Sequence, residues 1–461
     1  MNPNMERAFL PDSKAISRVT RELAARLSIQ RLAQEIQVSE TQLKGLIEGK
    51  DALGQDVIWK LVGSAVKFGL LDILPANGMP SVPYDIGTRL SLERPPAGFG
   101  LPAPIVPISN RPTRIAGHLV DFPIGLAASA LTANSNGIEF SARRGFDILT
   151  YKTVRTEFRA EHPWPNWVFL KDAPVIGKTD SSKFTGCSGY WPETSASVSM
   201  ANSFGIPSFA PEWWTKEVER ARNVVREGHQ VLIVSVVTSK VESETAWIRD
   251  FVEVATRAKR AGADIVEANY SCPNTPDDRS VGDLYRSAET SARVSRAIKA
   301  ELGTTPLFVK IGYLPELELA QFVDKNKEYV EGIVAINTIQ AQIIDDVGKP
   351  TFHGSGRELA GVSGLAVRQR AHEVARNLVH LRNKLAPQLR RKLEIIGVGG
   401  VLTADDALYY LDSIGVDAVE SCTGAYINPN LALETRLDRT AADEARSPGR
   451  VANPDRRVAT R

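Results

Sequence analysis

Between residues 121 and 421, short runs of apolar or β-branched residues recur, and most are separated by stretches with helical periodicity. The runs are Pro123–Ala127, Ile148–Tyr151, Val231–Val236, Ile265–Ala268, Leu307–Ile311, Ile333–Ile336, Glu394–Val398 and Ala418–Ser421. Helical patterns between them include Glu244–Ala261, Glu289–Leu302, Glu316–Lys327 and Ala404–Leu411. Alternating strand and helix predicts an α/β protein with a parallel sheet, and eight such units predict a closed (β/α)8 TIM barrel. An open doubly wound sheet is the rival architecture. The positions of the chemically able residues favour the barrel. Lys152, Asn269, Cys272, Lys310 and Asn337 each fall at or just beyond a strand's C-terminal end, and in a barrel those ends share one mouth.

Composition shifts divide the rest of the chain. Residues 1–75 read as short helices, 76–116 as a proline-rich linker, 117–440 as the barrel, and 441–461 as a polar, disordered tail. The formal net charge of +2 gives no global attraction to nucleic acid or membrane. Cys187, Cys272 and Cys422 are far apart and form no Cys-x-x-Cys pair. That usage argues against a zinc or iron–sulfur site and suits a reducing cytoplasm. The N-terminus lacks the apolar run of a signal peptide, and no stretch approaches the roughly 20 apolar residues needed to span a bilayer. The six histidines show no metal-ligand spacing.

The strongest chemical signal is Glu267-Ala268-Asn269-Tyr270-Ser271-Cys272-Pro273-Asn274-Thr275, directly after the fourth predicted strand. A cysteine there is placed to act on a ligand in the mouth, and the flanking asparagines offer donors and acceptors to a planar, amide-rich ring. The same residue types also fit an Asn-Pro turn around a small buried cysteine. Near the C-terminus, Ile396-Gly397-Val398-Gly399-Gly400 follows a strand-like run and precedes a helical one. With Ala360-Gly361-Val362-Ser363-Gly364 and Ser421-Cys422-Thr423-Gly424 it forms a candidate phosphate cup, in which backbone amides approach an anion. The glycine spacing is not that of a dinucleotide fingerprint.

In their order and strand placement these motifs resemble the dihydroorotate dehydrogenase family, over residues 121 to about 430. Gly125-Leu126-Ala127-Ala128-Ser129 resembles its first strand end, Tyr151-Lys152-Thr153 its second, and Asn202-Ser203-Phe204-Gly205-Ile206-Pro207 its substrate loop. Phe308-Val309-Lys310 and Ile336-Asn337-Thr338 are similar to its fifth and sixth strand ends. The resemblance implies FMN held by Ala128, Ser129, Lys152, Asn269, Lys310, Gly364, Gly399, Gly400 and Thr423. It implies a pyrimidine substrate, dihydroorotate or a related dihydropyrimidine, held by Lys152, Asn202, Asn269, Asn274, Asn337 and Thr338. Cys272 would take the C5 proton while the C6 hydride passes to flavin N5, with Lys152 and Lys310 completing the catalytic set. Cysteine rather than serine in the loop resembles the cytosolic class 1 enzymes, for which a homodimer is expected; the electron acceptor is not implied. The chain departs from the family at Ser129 and Cys422, where glycine is usual, and in a longer Thr156–Ser199 segment rich in aromatics, namely Trp164, Trp167, Phe169, Tyr190 and Trp191. A related dihydropyrimidine or uracil dehydrogenase shares several of these motifs and is the alternative.

Residues 32–50 resemble a Cro/repressor-type helix-turn-helix, with Leu32, Ile36, Val38, Leu43 and Ile47 packing and Ser39 capping the second helix. Its candidate recognition face carries Glu40, Gln42, Lys44 and Glu48. So little positive charge suits phosphate contact poorly, so a structural or dimerising cap is favoured over DNA binding, and a ligand-sensing regulator ranks behind an enzyme. The amphipathic stretch 57–71 is expected to pack on its neighbours rather than on a membrane surface.

Overall fold

The computed structural model describes residues 13–48, 50, 61, 106, 112–163, 165–171, 176, 183–186, 198–239, 243–271, 282–354, 356–388 and 392–446. Helices α1 (Ser13–Leu27), α2 (Ile29–Ile36) and α3 (Glu40–Ile47) come first, then a hairpin of β1 (Thr113–Ile115) and β2 (His118–Val120). Strand β3 (Ile124–Leu126), helix α4 (Ser135–Ala142) and strand β4 (Ile148–Val154) follow. The chain then makes an excursion through β5 (Trp167–Phe169), β6 (Lys183–Thr185) and β7 (Ser199–Asn202), and α5 (Pro211–Val224) leads to β8 (Val231–Val236). Three regular units come next: α6 (Glu244–Arg260) with β9 (Ile265–Asn269), α7 (Ala288–Leu302) with β10 (Leu307–Ile311), and α8 (Glu316–Asn326) with β11 (Gly332–Ala335). A second excursion, β12 (Ile339–Ile344) and β13 (Leu359–Gly364), precedes α9 (Arg368–Leu385) and β14 (Glu394–Val398). Helix α10 (Ala404–Leu408), strand β15 (Ala418–Ser421), and helices α11 (Thr423–Ile427) and α12 (Leu431–Arg446) complete the described chain.

Strands β3, β4, β8, β9, β10, β11, β14 and β15 pair in parallel in that order, and β15 closes on β3. The fold is therefore a (β/α)8 TIM barrel, built from the eight expected runs. Each of these strands is covered by helices outside and filled by side chains inside, which is why they read as nearly continuous apolar runs. Helix starts follow local chemistry: Asn134, Ser243 and Ser287 each accept a hydrogen bond from a backbone N–H in the first turn of α4, α6 and α7. Inside, Ile148, Val231, Ile265, Phe308, Val334, Ile396 and Ala418 cluster with Ile115 and Val120 of the β1–β2 hairpin, which plugs the N-terminal end. Phe308 fits because its neighbour in register is Gly332, where a Cβ would lie 2.6 Å from the ring. Burying such a phenylalanine contributes about 1.5–3 kcal/mol.

The two excursions leave the mouth after β4 and after β11, and they meet. Strands β5, β7, β13, β12 and β6 form a five-stranded sheet in that order. Periodicity did not reveal this sheet, because its strands are as short as Lys183–Thr185 and pair across long sequence separations. Its Trp167 and Phe169 pack edge-on to one another at 5.1 Å. The other notable aromatics of that segment, Trp164, Tyr190 and Trp191, lie outside the described residues.

Two expected boundaries shift. The helix expected over Ala404–Leu411 is α-helical to Leu408 and then widens into a π turn, Tyr409–Ile414. Helix α12 runs to Arg446, past the expected start of the tail at 441. The proline-rich segment is described only at residue 106 and from residue 112, and the amphipathic stretch 57–71 only at Leu61. No helix among the described residues is long and apolar enough to cross a membrane.

The N-terminal helices form their own small core from Leu23, Leu32, Ile36, Leu43 and Leu46. Ser39 and Gln42 make a reciprocal capping box at the start of α3. Leu46 is buried where Ile47 is only half-buried, because α1 docks on the end of α3: Ser17 donates to the Leu46 carbonyl at 3.0 Å.

At the closed end of the barrel Arg436 of α12 donates to the Asp147 carboxylate and, at 2.8 Å, to the Gly145 carbonyl. Asp147 also accepts from the Phe122 N–H at 2.7 Å. Both side chains of the ion pair are buried, so removing one partner strands the other. Arg436→Met is therefore expected to lower the unfolding free energy by about 3–5 kcal/mol, measured by chemical denaturation; a loss below about 1 kcal/mol would show the pair to be dispensable.

Candidate active site

Barrel closure and strand alternation build the site. Inward-facing residues at the C-terminal ends of the strands, together with the loops after them, surround one pocket at the mouth. Its lining includes Ala128 and Ser129 after β3, Lys152 on β4, Asn202 on β7, Asn269 on β9, Lys310 on β10, and Asn337 and Thr338 after β11. Gly364, Gly399, Gly400 and Thr423 line it too. Every described residue that the sequence points to is thus brought to a single cavity. Cys272 and Asn274 lie outside the described residues.

Hydrogen bonds fix the polar wall. Asn337 donates through Nδ2 to the Ser271 carbonyl and to Asn269 Oδ1, the latter at 3.4 Å. Asn269 Oδ1 also accepts from the Ser271 N–H at 3.2 Å, and its Nδ2 donates to Thr153 Oγ1 at 3.4 Å. The strand ends of β9 and β11 are thereby tied together at the point where the Cys272 loop departs. The Thr338 hydroxyl is buried without a hydrogen-bond partner among the described residues, a polar group that a ring carbonyl or carboxylate would satisfy. The Lys152 ammonium lies 5.7 Å from the centre of the Phe204 ring, and Asn202 donates to the Gly361 carbonyl of β13 at 3.3 Å.

The opposite wall is backbone and small hydroxyls. Gly399 and Gly400 have φ of +116° and +72°, and a Cβ on Gly400 would lie 2.4 Å from Cβ of Arg368. Both positions therefore require glycine, and the chain there runs against the first turn of α9. Arg368 returns a hydrogen bond to the Gly400 carbonyl at 2.9 Å, and Tyr410 donates to the Gly399 carbonyl at 2.9 Å. Ser363 and Thr423 share a hydrogen bond of 3.0 Å across the cup.

Ser129 and Cys422 meet at the mouth. Burial pushes the Cys422 thiol up, opposed by a hydrogen bond with Ser129 and by the positive charges of Lys310 and Lys152. Sequence reading does not single out Met200, Glu420 or Tyr426, which also line the pocket. Tyr426 packs edge-on against Trp167 at 5.5 Å, so the aromatics of the inserted sheet reach the pocket through it. Glu420 carried a signal: Ala418, Glu420 and Cys422 alternate inward along β15 and just past its end.

A family model described as "Dihydroorotate dehydrogenase" matches residues 192–435. A dihydroorotate dehydrogenase of Dictyostelium discoideum is 31% identical over 326 residues, covering 69% of this chain and 85% of that one. The NAD-dependent dihydropyrimidine dehydrogenase subunit PreA of Escherichia coli K12 is 30% identical over 203 residues, covering 42% of this chain and 44% of that one. Among solved structures, DHODH from Eimeria tenella in complex with ferulenol superposes with a TM-score of 0.57 at 20% identity, covering 75% of this chain and 88% of that one. The matched region takes in more than half of the chain and contains most of the pocket-lining residues, and by that match the chain belongs to the dihydroorotate dehydrogenase family of oxidoreductases.

Proposed function

We propose that this protein is an FMN-dependent dihydroorotate dehydrogenase of pyrimidine biosynthesis, oxidising dihydroorotate to orotate with Cys272 as base. The observation that carries the reading is the convergence of Lys152, Asn269, Lys310, Asn337 and Thr338 on one pocket beside the departure of the Cys272 loop. The names of the relatives, dihydroorotate dehydrogenases above all, supply the substrate class.

The residues present fit FMN. Gly364, Gly399 and Gly400 offer backbone amides, and Ser363 and Thr423 hydroxyls, to a phosphate. Lys152, Asn269 and Lys310 offer donors to a ring system with carbonyls and an imide. FMN, when bound, supplies the acceptor for the hydride that leaves substrate C6.

The protein's own part is positioning and proton transfer. Asn202, Asn269, Asn274, Asn337 and Thr338 would hold the pyrimidine ring and its carboxylate, with Lys152 placing positive charge beside it. The Cys272 thiolate would remove the C5 proton. The Lys310 ammonium is buried, where a fixed cation stabilises developing negative charge more than it would in water. We further propose a cytoplasmic homodimer, with electrons leaving to an acceptor of unassigned chemistry.

The similarity to a dihydropyrimidine dehydrogenase subunit supports a second reading, in which the substrate is another dihydropyrimidine. Ser129 and Cys422 in the pocket favour it, because they change the lining where the family usually has glycine.

Cys272→Ser is expected to retain flavin while dihydroorotate oxidation falls by about 100-fold or more. In the parent protein kcat/KM should rise toward the ordinary thiol pKa of about 8.5, whereas a flat profile or an active serine variant would remove Cys272 as base. Gly400→Val would force a side chain into Arg368 at a positive φ, and it is expected to weaken flavin retention at least about tenfold, measured by the ratio of flavin to protein absorbance. Undiminished flavin content in that variant would move the phosphate elsewhere.

A further inference from the structure

The barrel interior holds more charge than the chemistry above uses. Alternation sends Ile148, Thr150 and Lys152 inward from β4, Ile265, Glu267 and Asn269 from β9, and Ala418, Glu420 and Cys422 from β15 and its end. The lowest of each trio, Ile148, Ile265 and Ala418, belong to the apolar interior cluster. The highest, Lys152, Asn269 and Cys422, line the pocket. Thr150, Glu267 and Glu420 therefore form the layer between, with Lys310 contributed by β10. Both glutamates are fully buried, and Glu420 also reaches the pocket floor beside Lys310.

Glu420 Oε1 accepts from Thr150 Oγ1 at 2.6 Å. Its Oε2 and both oxygens of Glu267 have no hydrogen-bond partner among the described residues. A buried carboxylate that is neither ion-paired nor fully hydrogen-bonded costs several kcal/mol, and a carboxyl group in that position escapes the cost by keeping its proton. Glu420 has both Lys310 and Glu267 as charged neighbours, and a second carboxylate close by makes its own ionisation harder still.

We propose that Glu420 is a positioning residue kept as the neutral acid in the folded protein, so that it does not itself neutralise the Lys310 ammonium, which stays available to negative charge developing in the pocket. The consequence at the pocket rests on the flavin reading; the protonation state does not. Burial is the main force, pushing the Glu420 carboxyl up to about 8, with Lys310 opposing, the Glu267 charge adding, and the Thr150 hydrogen bond opposing. Besides Glu267 and Lys310, the titratable groups closest to it on the inward faces are Lys152 and Cys422; β3, β11 and β14 present Ala127, Val334 and Val398.

The sign of the linkage is fixed by the upward shift. Between the ordinary value of 4.5 and about 8, unfolding releases this proton, so this group's contribution to stability falls as pH rises and levels off above that range. The folding constant should lose up to about tenfold per pH unit from this group.

Infrared spectra of the full-length protein in light and heavy water test the proposal, with Glu420→Gln and Glu267→Gln as variants. The expected signal at about pH 7.5 is the carbonyl stretch of a protonated carboxylic acid, shifted down in heavy water. It should be present in the parent and in Glu267→Gln, and lose intensity in Glu420→Gln. Asp147, raised by burial to only about 6, is mostly ionised at that pH. Raising the pH of the parent protein through about 8 should remove the band, which decides the matter even where a variant fails to fold. A parent without the band, or a band lost in Glu267→Gln and kept in Glu420→Gln, would overturn the assignment. A flavin-free protein that shows the band would instead overturn the cofactor reading and leave this one standing.

Discussion

Closing eight parallel strands into a barrel gives every strand an interior face whose only route to solvent is its C-terminal end. That constraint orders the molecule from bottom to top. The hairpin residues Ile115 and Val120 seal the closed end with Ile148, Ile265, Phe308 and Ala418. Of the inward polar side chains, Lys152, Asn269, Lys310 and Cys422 occupy the mouth. Thr150, Glu267 and Glu420 sit one layer deeper, fully buried.

The mouth is shaped by the two excursions that pair above it. Because β7 and β13 are neighbours in one sheet, Asn202 from the first excursion donates to Gly361 of the second. The sheet is anchored at its rim by Arg357, which donates to the carbonyls of Pro163, Pro165 and His353 and to the Ser203 hydroxyl. The segment from Asn202 to Pro207 is therefore held by both excursions rather than by the barrel alone. The glycine cup has a comparable tie, since Arg368 and Tyr410 fix the carbonyls of Gly400 and Gly399 from the surrounding helices.

How far this was legible depended on how local the determining physics is. Strands such as Val231–Val236 and Leu307–Ile311 could be read residue for residue, because burial on both faces demands an apolar run of strand length. The Ser39 cap was equally legible, since its hydrogen bond spans three residues. The sheet over the mouth was not: β5 and β6 are three residues each and gain their stability from strands far away in sequence. Ile47 and Leu46 exchanged roles because α1, not the turn, decides which face of α3 is covered. Glu420 is hard to read from sequence for a different reason. A glutamate in a strand ordinarily marks a solvated face, and only barrel closure shows that its alternating partners Ala418 and Cys422 point into the interior.

In the proposed function this pocket brings a bound flavin and dihydroorotate together. That function is tested most directly by recording the visible spectrum of the purified full-length protein and then adding dihydroorotate in the absence of oxygen. A yellow protein whose flavin band bleaches on addition is the expected result. A colourless protein, or a flavin band unchanged by dihydroorotate, would contradict it.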